Sequence, residues 1–513
     1  MQSASVDTGL LARFDAEVLA KVPHVEEGRV VQPTPLVDVT DELIECGKAE
    51  YGLGISKTGV RVFAKFDSKV EGGSVKVRPA VAIVRDAIAT GRLVKGQTVF
   101  EATSGNFGLA LAGIGRLGLD VVALVSRRLQ QGVIDQLQRD GVKLVNLDVD
   151  VCPAPGLKGA ADALTAKSVA ASVGQQLKQL GFDAVPFDGV REEAEGLLAR
   201  QDAIGLAKLL ARAYGGFCPE QYDNDRNVEV HRTVTGPELE EQLRQAGSSL
   251  READFVCTFG TGGTALGVGN YIYSKHGRKG VRVVFPLAGQ DVAGIRTKEK
   301  AMGLKFYEPE AYVGEHEVDF EEASRVFEFF NRKGYDIGES GALALYACME
   351  LVNYGAGKNF VVMVADGASK YISEVKAVAR KGKRDQVRLE EAASVIGEYG
   401  SVVWAHNMFV PREEGVRVIA SSLGCPEDAI RVADVRDVQA VLNGGEPSEE
   451  FERLLPADDR PMLIVCLGGN TSLMLAKVLE RKGVAAESLV GGITGLPASR
   501  GKQPFDLVQM ARP

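Results

Sequence analysis

Four times along the chain an apolar run gives way to a loop of small residues. Arg61-Val62-Phe63-Ala64-Lys65-Phe66 leads into Gly72-Gly73-Ser74-Val75-Lys76, and Gly96–Glu101 into Thr103-Ser104-Gly105-Asn106-Phe107-Gly108. Phe255–Phe259 leads into Gly260-Thr261-Gly262-Gly263-Thr264, and Phe360–Ala365 into Asp366-Gly367-Ala368-Ser369. The first three loops open helices, one marked by Pro79 near its start and the next rich in alanine and leucine. Apolar strand, small-residue loop and helix in repetition allow few folds. The pattern predicts right-handed βαβ units around a mostly parallel sheet, an α/β protein.

Other stretches fill in the organisation. Residues 1 to about 30 read as a charged helical arm, and Pro33–Val37 as extended, because a proline disfavours helix in the residue before it. Residues 151–217 are rich in Ala, Leu, Gln and Lys at helical spacing, which predicts an inserted helical subdomain. After about residue 385 the composition changes, and Val432–Asp437 and Met462–Val465 read as strands of a separate α/β module. The expected division is therefore a catalytic region at 1–385 and a second domain at 386–513. A chain of 513 residues has room for both.

Composition excludes several classes. A formal net charge of -9 argues against nonspecific nucleic-acid binding, and no run of about 18 apolar residues is present to span a membrane. The N-terminal segment lacks an apolar leader core, and seven scattered cysteines fit reduced thiols, so a cytoplasmic protein is expected. Five histidines without ligand spacing give a metal centre no support.

The loops carry the chemistry. A lysine at a loop-to-helix junction, as Lys76 is, can be held rigid and partly desolvated, conditions that lower an amine's pKa and suit it to Schiff-base formation. Thr103, Ser104, Gly105 and Asn106 open a helix and read either as an ordinary cap or as a site for a carboxylate or phosphate. Gly260, Thr261, Gly262, Gly263 and Thr264 lack the Walker lysine and the dinucleotide spacing, so their best ligand is a phosphate monoester. His231 reads as a structural hydrogen-bonder or as an acid–base residue.

Taken together, TPLV at 34–37, GGSVK at 72–76, TSGN at 103–106, QYDN with His231 and TGPE across 221–238, GTGGT at 260–264 and the Ser-Gly-Ala run near 340 resemble the cysteine synthase and cystathionine β-synthase family. Those are pyridoxal 5'-phosphate enzymes of fold type II, with two parallel-sheet lobes. The resemblance implies that Lys76 carries the cofactor and removes the Cα proton, that Asn106 meets the pyridoxal 3-hydroxyl, and that Gly260–Thr264 hold the phosphate. It implies further that Thr103, Ser104 and Gly105 grip the substrate carboxylate, with Gln221 close by. Three departures stand out: Val77 in place of an acid, Phe107 in place of a threonine, and Gly367 in place of the serine that meets the pyridine nitrogen. Asp366, Ser369 or a water molecule is expected to take that last role.

The C-terminal module resembles the rhodanese family in a DVR strand at 434–436, a cysteine, Cys466, heading a small-residue loop, and a late Gly-Gly turn at 491–492. Such a loop lowers a thiol's pKa and stabilises a persulfide. The expected activity is thus β-replacement on O-acetylserine or O-phosphoserine by way of aminoacrylate, giving cysteine or a relative, with sulfur delivered from Cys466. A β-elimination lyase, a diamino-acid synthase and a regulatory protein that keeps the fold are the alternatives. The resemblance implies a homodimer acting on a small amino acid and a sulfur donor.

Overall fold

The computed structural model describes residues 6–55, 59–126, 129, 131–147, 163–290, 292–355, 359–368, 386–387, 389–406, 410–442, 447–458, 460–466, 470–490 and 492–496. Packing divides the chain into two units, Met1–Tyr371 and Ile372–Pro513.

The first unit holds β1 (His24–Glu26), β2 (Arg29–Val31), β3 (Leu36–Asp38), β4 (Val62–Phe66), β5 (Thr98–Ala102), β6 (Asp120–Val125), β7 (Lys143–Asn146), β8 (Ala253–Thr258), β9 (Val281–Pro286), β10 (Gly314–Val318) and β11 (Asn359–Val364). A six-stranded sheet runs β10-β9-β8-β11-β4-β3, parallel except for β3 against β4. A parallel three-stranded sheet runs β5-β6-β7. The strands of β4, β8 and β11 are almost wholly buried, as parallel strands covered on both faces must be.

Only part of the N-terminal stretch is helical. The helix is Thr8–Glu17, and β1 and β2 then form an antiparallel hairpin. Glu27 and Gly28 take φ of 47° and 77° in its two-residue turn, the left-handed pair that matches strand twist. In the stretch expected to be a helical insertion, the described residues form the helices Ala163–Gln179, Ala184–Asp188, Arg191–Ala199 and Ala203–Ala213. These helices cover one face of the smaller sheet, packing Ala170, Val173, Leu206 and Leu210 on Phe100, Val122 and Val145. The opposite face packs on Ile83, Val84 and Leu111 of the helices after Lys76 and Gly105.

The second unit is a five-stranded, all-parallel sheet of β12 (Gln386–Val387), β13 (Ser401–Ala405), β14 (Ile430–Ala433), β15 (Met462–Val465) and β16 (Ala486–Leu489), in the order β12-β16-β15-β13-β14. Helices Arg412–Leu423 and Asn470–Arg481 pack on its two faces. Gly415 lets the first lie against Trp404, since a Cβ there would fall 2.0 Å from the indole. The stretch read as a strand at 432–437 is corrected: β14 stops at Ala433 and a helix runs Val435–Leu442. Asp434 accepts the Arg436 N–H at 2.9 Å, and this capping aspartate turns the DVR run out of the sheet.

Candidate active site

The loops singled out in the first unit follow the carboxyl ends of β4, β5, β8 and β11, where open parallel sheets place their ligands. Gly72 and Gly73, at φ of 94° and 67°, swing the chain from β4 back toward β11. The Val75 N–H donates to Ala365 O at 2.7 Å, and Lys76 immediately precedes the helix Val77–Ala89. The backbone is thus tied on both sides of the lysine. Its amine reaches the β8 loop: a Cβ on Gly260 would sit 3.2 Å from Lys76 Nζ and 2.9 Å from Gly294 O. Burial first, then the Arg296 guanidinium, draw the Lys76 ammonium down to about 8, and Asp366 acts against them.

Asn106 Nδ2 donates to Asp366 Oδ2 at 2.7 Å, joining the β5 loop to the end of β11. Ser340 Oγ donates to the other oxygen of Asp366 at 3.4 Å. Thr103 turns inward: its hydroxyl accepts from the Gly105 and Gly108 amides at 3.0 and 3.2 Å and so shapes the loop. Ser104 is exposed at the tip and faces Gly294, whose Cβ would lie 3.5 Å from its Oγ. Gly105 at φ 120° leaves no room for a side chain, because Val133 stands 2.7 Å from where one would begin.

In the β8 loop, Gly263 begins the helix Gly263–His276 with Asn227 pressed against it, 2.1 Å from an added Cβ. Asn227 Nδ2 donates both to Thr261 Oγ1 at 3.0 Å and to Gln221 O at 2.8 Å. This asparagine, unmarked by any motif in the sequence, couples the Gly260–Thr264 loop to Gln221. His231 contacts the Thr235 and Thr264 hydroxyls at 2.9 and 3.2 Å, within a π-helical turn over His231–Thr235. Burial pushes its pKa down to about 3, so it is a neutral hydrogen-bonder at ordinary pH.

Two further groups escaped sequence reasoning. Arg296 is buried and donates to Tyr222 Oη at 2.5 Å. Arg78, two residues after Lys76, sits in a buried charge cluster. Its guanidinium forks onto Asp67 at 2.7 and 2.8 Å and reaches Glu238 at 2.7 Å. Lys65 Nζ completes the cluster on Glu238 at 2.5 Å and on Thr34 O at 2.6 Å. Two cations face two anions here, and they bind β4, the Thr34 segment, the lysine helix and the helix Gly236–Gln245 together.

Gly367 has a local reason. A Cβ there would fall 2.4 Å from Asp336 Oδ1, which accepts the Ala368 N–H at 2.7 Å. Ser369 lies outside the described residues. Cys466 belongs to the other unit, buried just past the end of β15, where it accepts a hydrogen bond from Ser472 Oγ at 3.2 Å. Among the described residues no helix is long and apolar enough to cross a membrane, and no group of His, Cys, Asp or Glu could hold a metal ion.

Comparison with known proteins adds four findings. The model of a family described as pyridoxal-phosphate dependent enzyme matches residues 31–367. The cysteine synthase of Staphylococcus aureus strain Mu50 is 27% identical over 325 residues, which cover 61% of this chain and 87% of that protein. Cysteine synthase 1 of Emericella nidulans is 26% identical over 339 residues, 61% of this chain and 78% of the relative. Among solved structures, an O-ureido-L-serine-bound mutant of O-ureido-L-serine synthase shares the fold, with a TM-score of 0.51 at 21% identity over 72% of this chain and 95% of that one.

Proposed function

The chain belongs to the family of pyridoxal-phosphate dependent enzymes, and we propose that it replaces the activated oxygen at Cβ of a serine derivative with sulfur, giving cysteine or a related β-substituted alanine. The observation that carries this reading is the convergence of Lys76, Gly260, Gly294 and Ser104, with Asn106 on Asp366 beside them. The cysteine synthases among its relatives point the same way.

The residues present fit the cofactor. The missing side chain at Gly260 keeps the space beside Lys76 Nζ open, and the loop Gly260–Thr264 offers backbone and hydroxyl groups to a phosphate, with the Gly263 amide on Thr261 Oγ1 at 3.3 Å. In this reading Lys76 holds the cofactor, Gly260–Thr264 hold its phosphate, Asn106 meets its ring hydroxyl, and Asp366 lies next to Asn106. Ser104 and Gly105 hold the amino acid's carboxylate, Thr103 braces them from within, and Gln221 closes the substrate side. When bound, pyridoxal phosphate supplies an electron sink for negative charge at Cα. Lys76 takes and returns the Cα proton, a task suited to an amine drawn down to about 8.

Arg296 favours an anionic activating group. Arg296 is buried and close enough to Lys76 to depress it, and we assign it to the anionic activating group, which favours O-phosphoserine over O-acetylserine. The Ile372–Pro513 unit is the proposed sulfur carrier. Its connections leave β13 and β15 in opposite directions, which makes the gap between them the switch point where ligands bind in such sheets. Cys466 stands there with the Ser472 hydroxyl on its sulfur.

The test is product analysis of the holoenzyme with O-phosphoserine or O-acetylserine, each with sulfide, with an amine, or alone. Cysteine from O-phosphoserine and sulfide is the expected result. Pyruvate and ammonia in every case would make it a lyase, a diamino acid would replace sulfur with an amine, and no turnover at all would overturn the enzyme reading.

A further inference from the structure

Glu101 is a carboxyl that no step of the proposed reaction uses. It lies in β5, two residues before Thr103, and is only 3% exposed. Gln221 Nε2 donates to its Oε1 at 3.1 Å, and Cys218 Sγ lies 3.9 Å from its Oε2. One buried carboxyl therefore joins the two segments, 101–105 and 218–221, that the proposed function assigns to the amino acid.

We propose that Glu101 is a positioning residue for the substrate: through its hydrogen bond it fixes the Gln221 side chain on the substrate side of the site. The inference rests on the reading of Gln221 and Ser104 as the substrate side.

A fully buried carboxylate lacks solvation, and a second anion nearby penalises it further. Among the described residues, few groups face Glu101. Besides the Gln221 amide and the Cys218 thiol, they are the backbone and carboxylate of Glu220, itself held by Lys208 Nζ at 2.8 Å. Burial pushes the Glu101 pKa up to about 8; the bonds from Gln221, the Glu220 backbone and Cys218 oppose this, while the Glu220 carboxylate adds to it. Cys218 is itself raised far up by burial and by Glu101, so it is a thiol here. Below about pH 8 the carboxyl is neutral and the substrate anion is tolerated. Above it, ionisation places like charges on both sides of Gln221.

The test compares wild-type holoenzyme with Glu101→Gln, which is neutral at every pH, by calorimetric binding of L-serine between pH 6.5 and 9.5. The substrate's own ammonium titrates equally in both, so the ratio of the two Kd values isolates Glu101. That ratio is expected to stay near 1 below pH 7.5 and to rise toward about tenfold at pH 9, as a group titrating near 8 requires. The KM ratio should follow it while the kcat ratio stays flat. Glu101→Met, apolar and similar in volume, serves if the glutamine variant fails to fold, and its binding should be weak but without the high-pH limb. A Kd ratio that stays flat with pH would overturn the proposal, as would an effect confined to kcat. A wild-type holoenzyme that binds no amino acid would overturn this inference and the proposed function together, whereas a flat ratio with normal binding defeats only the role of Glu101.

Discussion

Replacing Arg78 by methionine is the sharpest probe of how the lysine loop is held. The guanidinium makes four hydrogen bonds, two to Asp67, one to Glu238 and one to Thr34 Oγ1 at 3.2 Å, and none of the charged partners is exposed. Its removal leaves Asp67 and Glu238 sharing only the Lys65 charge inside the protein. Breaking one partner out of a buried pair costs about 3–5 kcal/mol, mostly from the uncompensated charge left behind. The unit of 371 residues has an unfolding entropy of roughly 0.8 kcal/mol/K at about 2.1 cal/mol/K per residue, so its Tm should fall by about 4–6 °C. Scanning calorimetry at pH 7 measures this. Arg78→Lys keeps the charge but not the fork, and should fall between. The double change Arg78→Met with Asp67→Leu restores neutrality and should recover part of the loss, making the pair strongly non-additive. A single variant with unchanged Tm, or a double variant at the simple sum, would refute the argument that the cluster is buried and balanced.

Other consequences are quicker to check. Lys76 titrating near 8 instead of 10.5 presents roughly 300 times more neutral amine at pH 7, so the rate of cofactor uptake by the apoprotein should rise with pH and level off above about 8. A rate still climbing steadily at pH 10 would contradict the desolvated lysine. Arg296→Leu should raise the KM for O-phosphoserine about 10–100-fold, the worth of a charged hydrogen bond, and leave that for O-acetylserine within about threefold. Equal effects on both substrates would remove Arg296 as the anion's partner. With a thiol present to reduce the persulfide and release its outer sulfur as sulfide, Cys466→Ser should abolish thiosulfate-dependent product formation and leave sulfide-dependent formation intact; unchanged thiosulfate activity would end the delivery role.

Much of the fold was legible because strand and loop signals are local. The four apolar runs that end in small-residue loops are β4, the 96–102 stretch with β5, β8 and β11, and their spacing alone predicted the parallel sheet. The glycines were legible as loop markers, but the close neighbours that force Gly105 and Gly263 appear only in the folded chain. Two local readings failed where one residue overrode a pattern. Asp434 caps a helix inside an apolar run, and Glu27-Gly28 turns a charged stretch into a hairpin. The residues that position the site were not legible. Arg78, Asp67, Lys65 and Glu238 meet across sequence separations of up to 173 residues, and each alone looks like an ordinary charged position. Glu101 read as a strand residue and Asn227 carried no mark at all, because what they do depends on Gln221 and Thr261 arriving beside them. Thr103 was read as facing the substrate, and its hydroxyl also accepts from two amides of its own loop, a role that sequence does not reveal.

The most direct measurement is borohydride reduction of the purified holoenzyme, followed by digestion and mass spectrometry of the pyridoxyl-labelled peptide. The account predicts a single label, on Lys76, lost in Lys76→Ala. A label on any other lysine, or a protein that takes up no cofactor at all, would contradict it.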